Sequence, residues 1–140
     1  MTQTALKKFL IVMSQFIFGG LLYCGIEVVY RGYTHRSMLA AGGLCFVLLC
    51  FLARSQVGLL SGAVLGALGI TAVELAVGSV VNLWMGLEVW DYSRLPLNLW
   101  GQISLRYTLI WFVLSALVIL LARIVRGAFI INNERLTTNK

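Results

Sequence analysis

Four long apolar segments account for most of this chain and limit what it can fold into. They cover about residues 9–30, 38–53, 57–81 and 107–122. A membrane-spanning helix needs roughly 20 mostly apolar residues. The chain is 60% hydrophobic and 11% charged, whereas a soluble domain averages about 25% charged residues. A soluble fold of this size could not bury so much apolar surface, so the sequence predicts an all-α polytopic membrane protein with four transmembrane helices.

The apolar segments also set the expected domain organisation. The second and fourth segments are short for a full span, so they must include flanking residues or thin the bilayer. We expect one four-helix domain over residues 1–129 and a polar, frayed cytoplasmic tail over residues 130–140. The basic and apolar N-terminus is predicted to be a retained first helix, because Tyr23 is too bulky for the position before a lipoprotein cysteine.

The basic residues predict which way the helices run. With both termini in the cytoplasm, seven of the eleven Lys and Arg residues lie on that side. The outer side then holds Arg31, Arg36, Arg94 and Arg106, and four acids offset their charge. The positive-inside rule therefore favours a multi-pass protein of the bacterial inner membrane with an N-in, C-in arrangement. The net charge of +6 is spread beside apolar segments, which argues against a nucleic-acid partner.

Four of the five acidic residues, and every Trp and Tyr, belong to the predicted outer half. Glu74 lies within an otherwise apolar span, where an ionised carboxylate costs several kcal/mol unless it is paired or hydrated. We expect a structural ion pair with Arg106, Arg31 or Arg36. The alternative is that Glu74 serves as a site for a substrate cation or a proton.

Residues 82–101 mix aromatic, charged and turn-forming side chains between the third and fourth apolar segments. Pro96 forbids a regular helix through its position. Irregular backbone cannot face lipid, so we predict an interfacial or re-entrant segment covered by the helices. Asp91 and Ser93 are expected to make local turn contacts, and Trp90 and Tyr92 are expected to close over the polar cluster.

The polar residues of the outer half are predicted to form one cluster that binds a ligand or partner. Arginine side chains suit phosphate and carboxylate groups, so a lipid headgroup or an anionic substrate fits them. No hydrolase elbow, Walker loop or metalloprotease motif is present. His35 is the single histidine, and the three cysteines lie in apolar runs, so we expect no catalytic residue, metal or cofactor. The predicted cluster comprises Glu27, Arg31, Arg36, Glu74, Trp90, Asp91, Tyr92, Asn98 and Arg106.

A second motif concerns helix packing. Gly58, Gly62 and Gly66 recur every four residues in the third apolar segment. Small residues at this spacing let membrane helices approach closely. The motif predicts either packing inside one subunit or a homo-oligomer.

The residues of the polar cluster also carry a family resemblance. Glu27, Arg36, Glu74, the stretch Trp-Asp-Tyr-Ser at 90–93, Asn98 and Gly101 resemble the bacterial "ABC-transporter type IV" family of CmpB-like membrane proteins. The similarity covers roughly residues 20–117. The chain departs from the family pattern at residues 37–43 and at Gln102, where a basic residue is usual. The resemblance implies a membrane component of a transporter, working with an ATPase, another membrane subunit or further copies of itself.

Three functions are compatible with the sequence. The leading hypothesis is a transport or permease-like component of the lipid bilayer without its own catalysis. The second is a membrane-embedded enzyme on a lipid-linked substrate, using Glu27, Glu74 or Asp91 as acid or base. The third is a scaffold or assembly subunit that uses the glycine motif.

Overall fold

The structure is a computed structural model that describes residues 2–138, with side chains described for residues 2–131. Its main elements are four helices: α1 (Gln3–Arg31), α2 (Arg36–Arg54), α3 (Leu59–Gly78) and α4 (Leu105–Thr138). All four are long and apolar enough to cross a membrane. The prediction of a helical protein with four transmembrane helices is thereby confirmed for the described part of the chain.

The third helix does not end as a regular α-helix. It continues as a π-helical turn over Ser79–Trp84, in which Met85 N donates to Val80 O at 2.9 Å. Residues 85–104 then form an irregular stretch, which we call the cap segment. It contains a short antiparallel hairpin of β1 (Asn98–Leu99) and β2 (Ile103–Ser104). The wider π-turn redirects the chain from the end of α3 into the cap segment.

Local chemistry explains the turn between α1 and α2. Gly32 ends α1 with φ of 81°, a left-handed conformation that glycine adopts without steric cost. His35 then caps α2, since its Nδ1 accepts from the backbone N of Ser37 at 3.2 Å. The two helices are therefore joined by a tight connection of four residues, 32–35.

Glycines let α1 and α2 approach closely. A Cβ added at Gly43 would lie 2.7 Å from the backbone oxygen of Phe16, and one added at Gly42 would lie 2.9 Å from Cγ of Tyr23. Gly19 and Gly20 meet α2 in the same way from the other side. Packing of this kind replaces the hydrophobic effect as the source of helix association in lipid.

The predicted glycine motif of α3 lies against other helices of the same chain at two of its three positions. A Cβ at Gly66 would lie 2.8 Å from Cβ of Ser115 on α4, and one at Gly62 would lie 3.3 Å from Ile119. Gly58 precedes the helix and has nothing within 4 Å of an added Cβ. Gly58 therefore takes no part in the contact between α3 and α4.

The core lies between α2, α3 and α4. Its buried side chains are Leu49, Leu52, Ala53, Ala67, Ile70, Trp111 and Ile119. By contrast, α1 packs mainly against α2, and most of its large apolar side chains are exposed. Such an apolar outer surface fits a lipid environment.

The cap segment lies at the end of the bundle that also carries the α1–α2 turn. Arg31 Nη1 donates to the backbone oxygen of Val89 at 2.9 Å. Val89 and Trp90 pack with Met38 of α2 and Val81 of the π-turn in a second apolar cluster. The segment thus covers helix ends with irregular backbone, while its depth in the membrane stays a prediction.

The C-terminal segment differs from the frayed tail expected from the sequence. The fourth helix continues through Thr138. The stretch 130–140 contains neither glycine nor proline, the residue types that interrupt a helix most strongly. The polar character of residues 130–140 and their location in the cytoplasm stay predictions.

Candidate functional site

A cavity of about 400 Å³ opens among the helices beneath the cap segment. All four helices and the cap segment contribute to its wall. Two acids, two arginines and six aromatic side chains line it among apolar residues: Glu27, Glu74, Arg31, Arg106, Tyr23, Tyr30, Trp90, Tyr92, Tyr107 and Trp111. Ligand pockets typically measure about 300–1,000 Å³ and combine apolar walls with few polar groups, so the cavity is the candidate site.

Glu74 is the central polar residue of this cavity. It lies on α3 and is buried, with 9% of its surface exposed. Its Oε2 accepts from the indole Nε1 of Trp111 at 2.8 Å, and its Oε1 accepts from the hydroxyl of Tyr92 at 3.2 Å. Both donors are neutral side chains, so the carboxylate is hydrogen-bonded without being neutralised by them.

Aromatic stacking holds Tyr92 in place. Its ring stacks on Tyr107 of α4 with centroids 4.3 Å apart and planes 15° from parallel. Its backbone N donates at 2.8 Å to the O of Gly101, which lies in the turn of the hairpin. Burial raises the pKa of the Tyr92 phenol, and the nearby carboxylate of Glu74 raises it further. The hydroxyl therefore keeps its proton and donates to Glu74.

A network of amide side chains fixes the cap segment above the cavity. Asn82 in the π-turn donates to Trp90 O at 3.1 Å and to Oε1 of Gln102 at 2.8 Å, and its Oδ1 accepts from Val89 N at 2.7 Å. The indole of Trp90 donates to Gln102 O at 3.0 Å. Because these groups are largely buried, each hydrogen bond offsets a desolvation cost.

The second acid of the cavity is paired. Glu27 forms an ion pair with Arg31, one helical turn further along α1, and accepts from Thr34 Oγ1 at 2.6 Å. This is the local pair that the spacing of four residues favours. Arg31 also lies over the ring of Tyr33, 4.9 Å from its centroid. The charges of Glu27 and Arg31 therefore offset one another at the edge of the cavity.

The expected ion pair of Glu74 with an arginine is wrong. Among the described side chains, the pair Glu27–Arg31 is the one salt bridge. Arg106 lines the cavity but is exposed, and Arg36 is exposed at the start of α2. Aromatic donors take the place of arginine because Trp111 and Tyr92 lie closer to the buried carboxylate.

The cavity gathers some of the predicted site residues and leaves out others. Those that line it are Glu27, Arg31, Glu74, Trp90, Tyr92 and Arg106. Asp91 instead bonds Ser93 in the loop before the hairpin, Asn98 lies in β1, and Arg36 does not line the cavity. The predicted cluster is thus divided between a cavity and a structured loop.

Asp91 makes the local contacts expected of a turn residue. Its Oδ1 accepts from Ser93 N and its Oδ2 from Ser93 Oγ, each at 2.8 Å. These hydrogen bonds from Ser93 hold the pKa of the exposed Asp91 carboxyl below its ordinary value. Asn98 bonds Ser93 O, Leu95 O and Gly101 N, which closes the same loop.

Sequence reasoning missed four aromatic residues of the cavity wall: Tyr23, Tyr30, Tyr107 and Trp111. Tyr107 and Trp111 are four residues apart on α4, and Tyr23 is four residues before Glu27 on α1. This spacing places each pair on one helix face and is the signal that could have indicated a shared site. The centroids of Tyr107 and Tyr23 each lie 6.3 Å from that of Trp111.

The cavity reaches the surface between α1 and α4. Ile26 and Tyr30 of α1 and Ile110 of α4 line it and are themselves exposed. Within the described residues, no group of three His, Cys, Asp or Glu side chains is placed to hold a metal ion. The wall offers the carboxylate of Glu74, the paired charges of Glu27 and Arg31, the exposed Arg106, and aromatic side chains.

Comparison with known proteins connects this site to a family. A protein-family model described as "Putative ABC-transporter type IV" matches residues 10–139. The chain belongs to this family. The match begins within α1 and includes the other three helices, the cap segment and every residue of the cavity wall, so the site lies within the matched region. No curated protein and no solved structure gave a significant match.

Membership of the type IV family and four apolar helices together support a transport-related membrane protein. The cavity wall is built by elements from the first helix to the last. A truncated family member that lacked α1 or α4 would therefore lack part of the wall.

Proposed function

We propose that this protein is a membrane-embedded component of a transport system and that it binds a polar ligand in the cavity around Glu74. One observation carries the proposal. A buried carboxylate, bonded only by the neutral donors Trp111 and Tyr92 among the described side chains, faces a ligand-sized cavity between helices. Ionisable groups at membrane depth are costly and mark substrate or ion pathways.

The construction of the wall supports a binding role. The core already packs α3 against α4 through Ala67, Ile70 and Ile119. If position 74 served only to hold these two helices together, an apolar side chain would be sufficient there. Glu74 instead adds a desolvation cost, and the structure offsets it with donors from two separate elements. The exposed mouth between α1 and α4 would give a ligand access.

The proposal includes partners and a location. Residues 1–140 contain no nucleotide-binding loop, so we propose an ATPase subunit, or further copies of the chain, as partners. We place the protein in the bacterial inner membrane with both termini in the cytoplasm, by the positive-inside rule. The cap segment and the Glu74 cavity would then belong to the outer half.

Uptake profiling in a defined medium tests the proposed function. Cells lacking the protein are complemented with the wild type, Glu74→Gln or Glu88→Gln, and the depletion of each medium component is followed by mass spectrometry. Glu88 is an exposed acid of the cap segment that does not line the cavity, so its variant removes the same charge elsewhere.

We expect a specific uptake defect in the deletion strain that wild type and Glu88→Gln correct and Glu74→Gln does not. Equal protein levels in the membrane are verified first. An unchanged uptake profile in the deletion strain would contradict a transport role. Full correction by Glu74→Gln would contradict the assignment of the cavity as the site.

A further inference from the structure

The geometry points to an organic cation as the ligand of this cavity, with Glu74 as its counter-ion and the surrounding aromatic faces as its contact surface. This inference rests on the proposed function and adds a chemical class to the ligand. It follows from three properties of the wall: its charge, its aromatic faces and the position of its arginines.

The first property is the charge of Glu74. An ionised Glu74 has no counter-charge bonded to it among the described side chains, since its two partners are an indole and a phenol. A carboxylate offers about four acceptor positions, and these two bonds use only one on each oxygen. A cation in the cavity would supply the missing charge in a site where water screens little.

The second property is a continuous series of aromatic rings. Tyr92 stacks on Tyr107 at 4.3 Å, Tyr107 lies 6.3 Å from Trp111, and Trp111 lies 6.3 Å from Tyr23. Ring faces attract a cation within about 6 Å of the centroid, most strongly where water is excluded. Such a wall favours an ammonium or phosphonium with apolar substituents over a metal ion, which needs several oxygen or nitrogen ligands.

The third property is the position of the basic groups that also line the cavity. Arg31 is paired with Glu27 and donates to Val89 O, so its charge is offset. Arg106 is exposed at the edge of the cavity, where counter-ions screen its charge. The buried part of the wall is left with the carboxyl group of Glu74, whose ionised form attracts a cation.

Two probes of the same shape and opposite charge test this inference. Tetraphenylphosphonium is a cation with four apolar substituents, and tetraphenylborate is the corresponding anion. Binding of each is measured by isothermal titration to the full chain in lipid nanodiscs, with empty nanodiscs subtracted to remove partitioning into lipid. We expect saturable binding of the phosphonium and no saturable binding of the borate.

Variants then assign the binding to the cavity. Glu74→Gln should weaken the phosphonium affinity by at least about tenfold, and Glu88→Gln should leave it unchanged. Tyr107→Leu removes a ring face and should weaken it, whereas Tyr107→Phe keeps the face and should not. The Tyr107 pair keeps the test informative if Glu74→Gln fails to fold.

Three outcomes would overturn the inference: preferential binding of the borate, equal binding of both ions, or phosphonium binding that Glu74→Gln and Tyr107→Leu leave unchanged. Absence of phosphonium binding would overturn it as well. If the uptake defect of Glu74→Gln persists in that case, the cavity is a transport site for a ligand of other charge. The two proposals therefore fail separately.

Discussion

The indole of Trp111 donates to Oε2 of Glu74 at 2.8 Å, which joins α4 to α3 through a hydrogen bond between two buried side chains. The bond lies where the apolar core meets the cavity, since Trp111 belongs to both. Loss of the donor would leave a buried acceptor without its partner.

Replacing this donor should destabilise the protein. Trp111→Phe keeps an aromatic ring but removes the N–H, so we expect the free energy of unfolding to fall by about 1–3 kcal/mol. Thermal unfolding in detergent, followed by far-UV circular dichroism, measures the change. Trp84→Phe is the control, because Trp84 is 83% exposed. Similar losses in both variants would show that the hydrogen bond contributes nothing specific.

A methyl group at Gly78 should displace the cap segment. A Cβ there would lie 2.9 Å from Cζ2 of Trp90 and 3.2 Å from Cβ of Gln102, closer than such atoms normally approach. We expect Gly78→Ala to accelerate tryptic cleavage after Arg94, an exposed residue of the segment. Mass spectrometry of the fragments measures the rate.

The control for this experiment is Gly25→Ala, since nothing lies within 4 Å of a Cβ at Gly25. That variant should be cleaved after Arg94 at the wild-type rate. Unchanged cleavage in Gly78→Ala would mean that Trp90 and Gln102 accommodate the methyl group in place.

Arg123 should stabilise the opposite end of the bundle. Its Nη2 donates to Val57 O at 2.6 Å and its Nε to Ala53 O at 3.3 Å, so it joins α4 to the α2–α3 turn. Arg123→Ala should lower the free energy of unfolding by about 1–3 kcal/mol, because hydrogen bonds from a charged donor are lost. Arg126→Ala, which removes an exposed arginine of the same surface, should change it by less than about 0.5 kcal/mol. Thermal unfolding in detergent measures the stability of both variants. An equal loss of stability in the two would mean that the loss comes from the change in net charge and not from the hydrogen bonds of Arg123.

The proposed orientation predicts the accessibility of two loops. Arg94 and Gln56 are exposed and lie at opposite ends of the bundle. In intact spheroplasts, a membrane-impermeant maleimide should label Arg94→Cys and not Gln56→Cys, with both labelled after permeabilisation. The unsubstituted chain, with its own three cysteines, gives the background. The reverse pattern would place the termini outside.

The helices could be predicted from the sequence because lipid allows few alternatives. A backbone in hydrocarbon must satisfy its own hydrogen bonds, so apolar segments of about 20 residues become helices whatever they pack against. The same reasoning located Glu74 correctly as an isolated acid within α3.

The partners of Glu74 could not be predicted in this way. Spacing shows that Tyr107 and Trp111 share a face of α4, but it does not show which helix that face meets. The arginines were expected as partners because opposite charge is visible in a sequence, whereas the burial of an indole beside a carboxylate depends on how α3 and α4 are rotated. The close contact between the glycines at 19–20 and 42–43 could not be predicted for a similar reason, since adjacent glycines lack the four-residue spacing of a packing motif.

The attachment of α1 mainly to one neighbouring helix has a consequence for energetics. α1 is held by close backbone contact with α2, and it approaches α4 at the cavity through Tyr23. A molecule in the cavity that contacted both Tyr23 and Trp111 would therefore touch both α1 and the packed core. Its binding energy would be added to the packing of α1, so occupancy of the cavity and the anchoring of the first helix would rise and fall together.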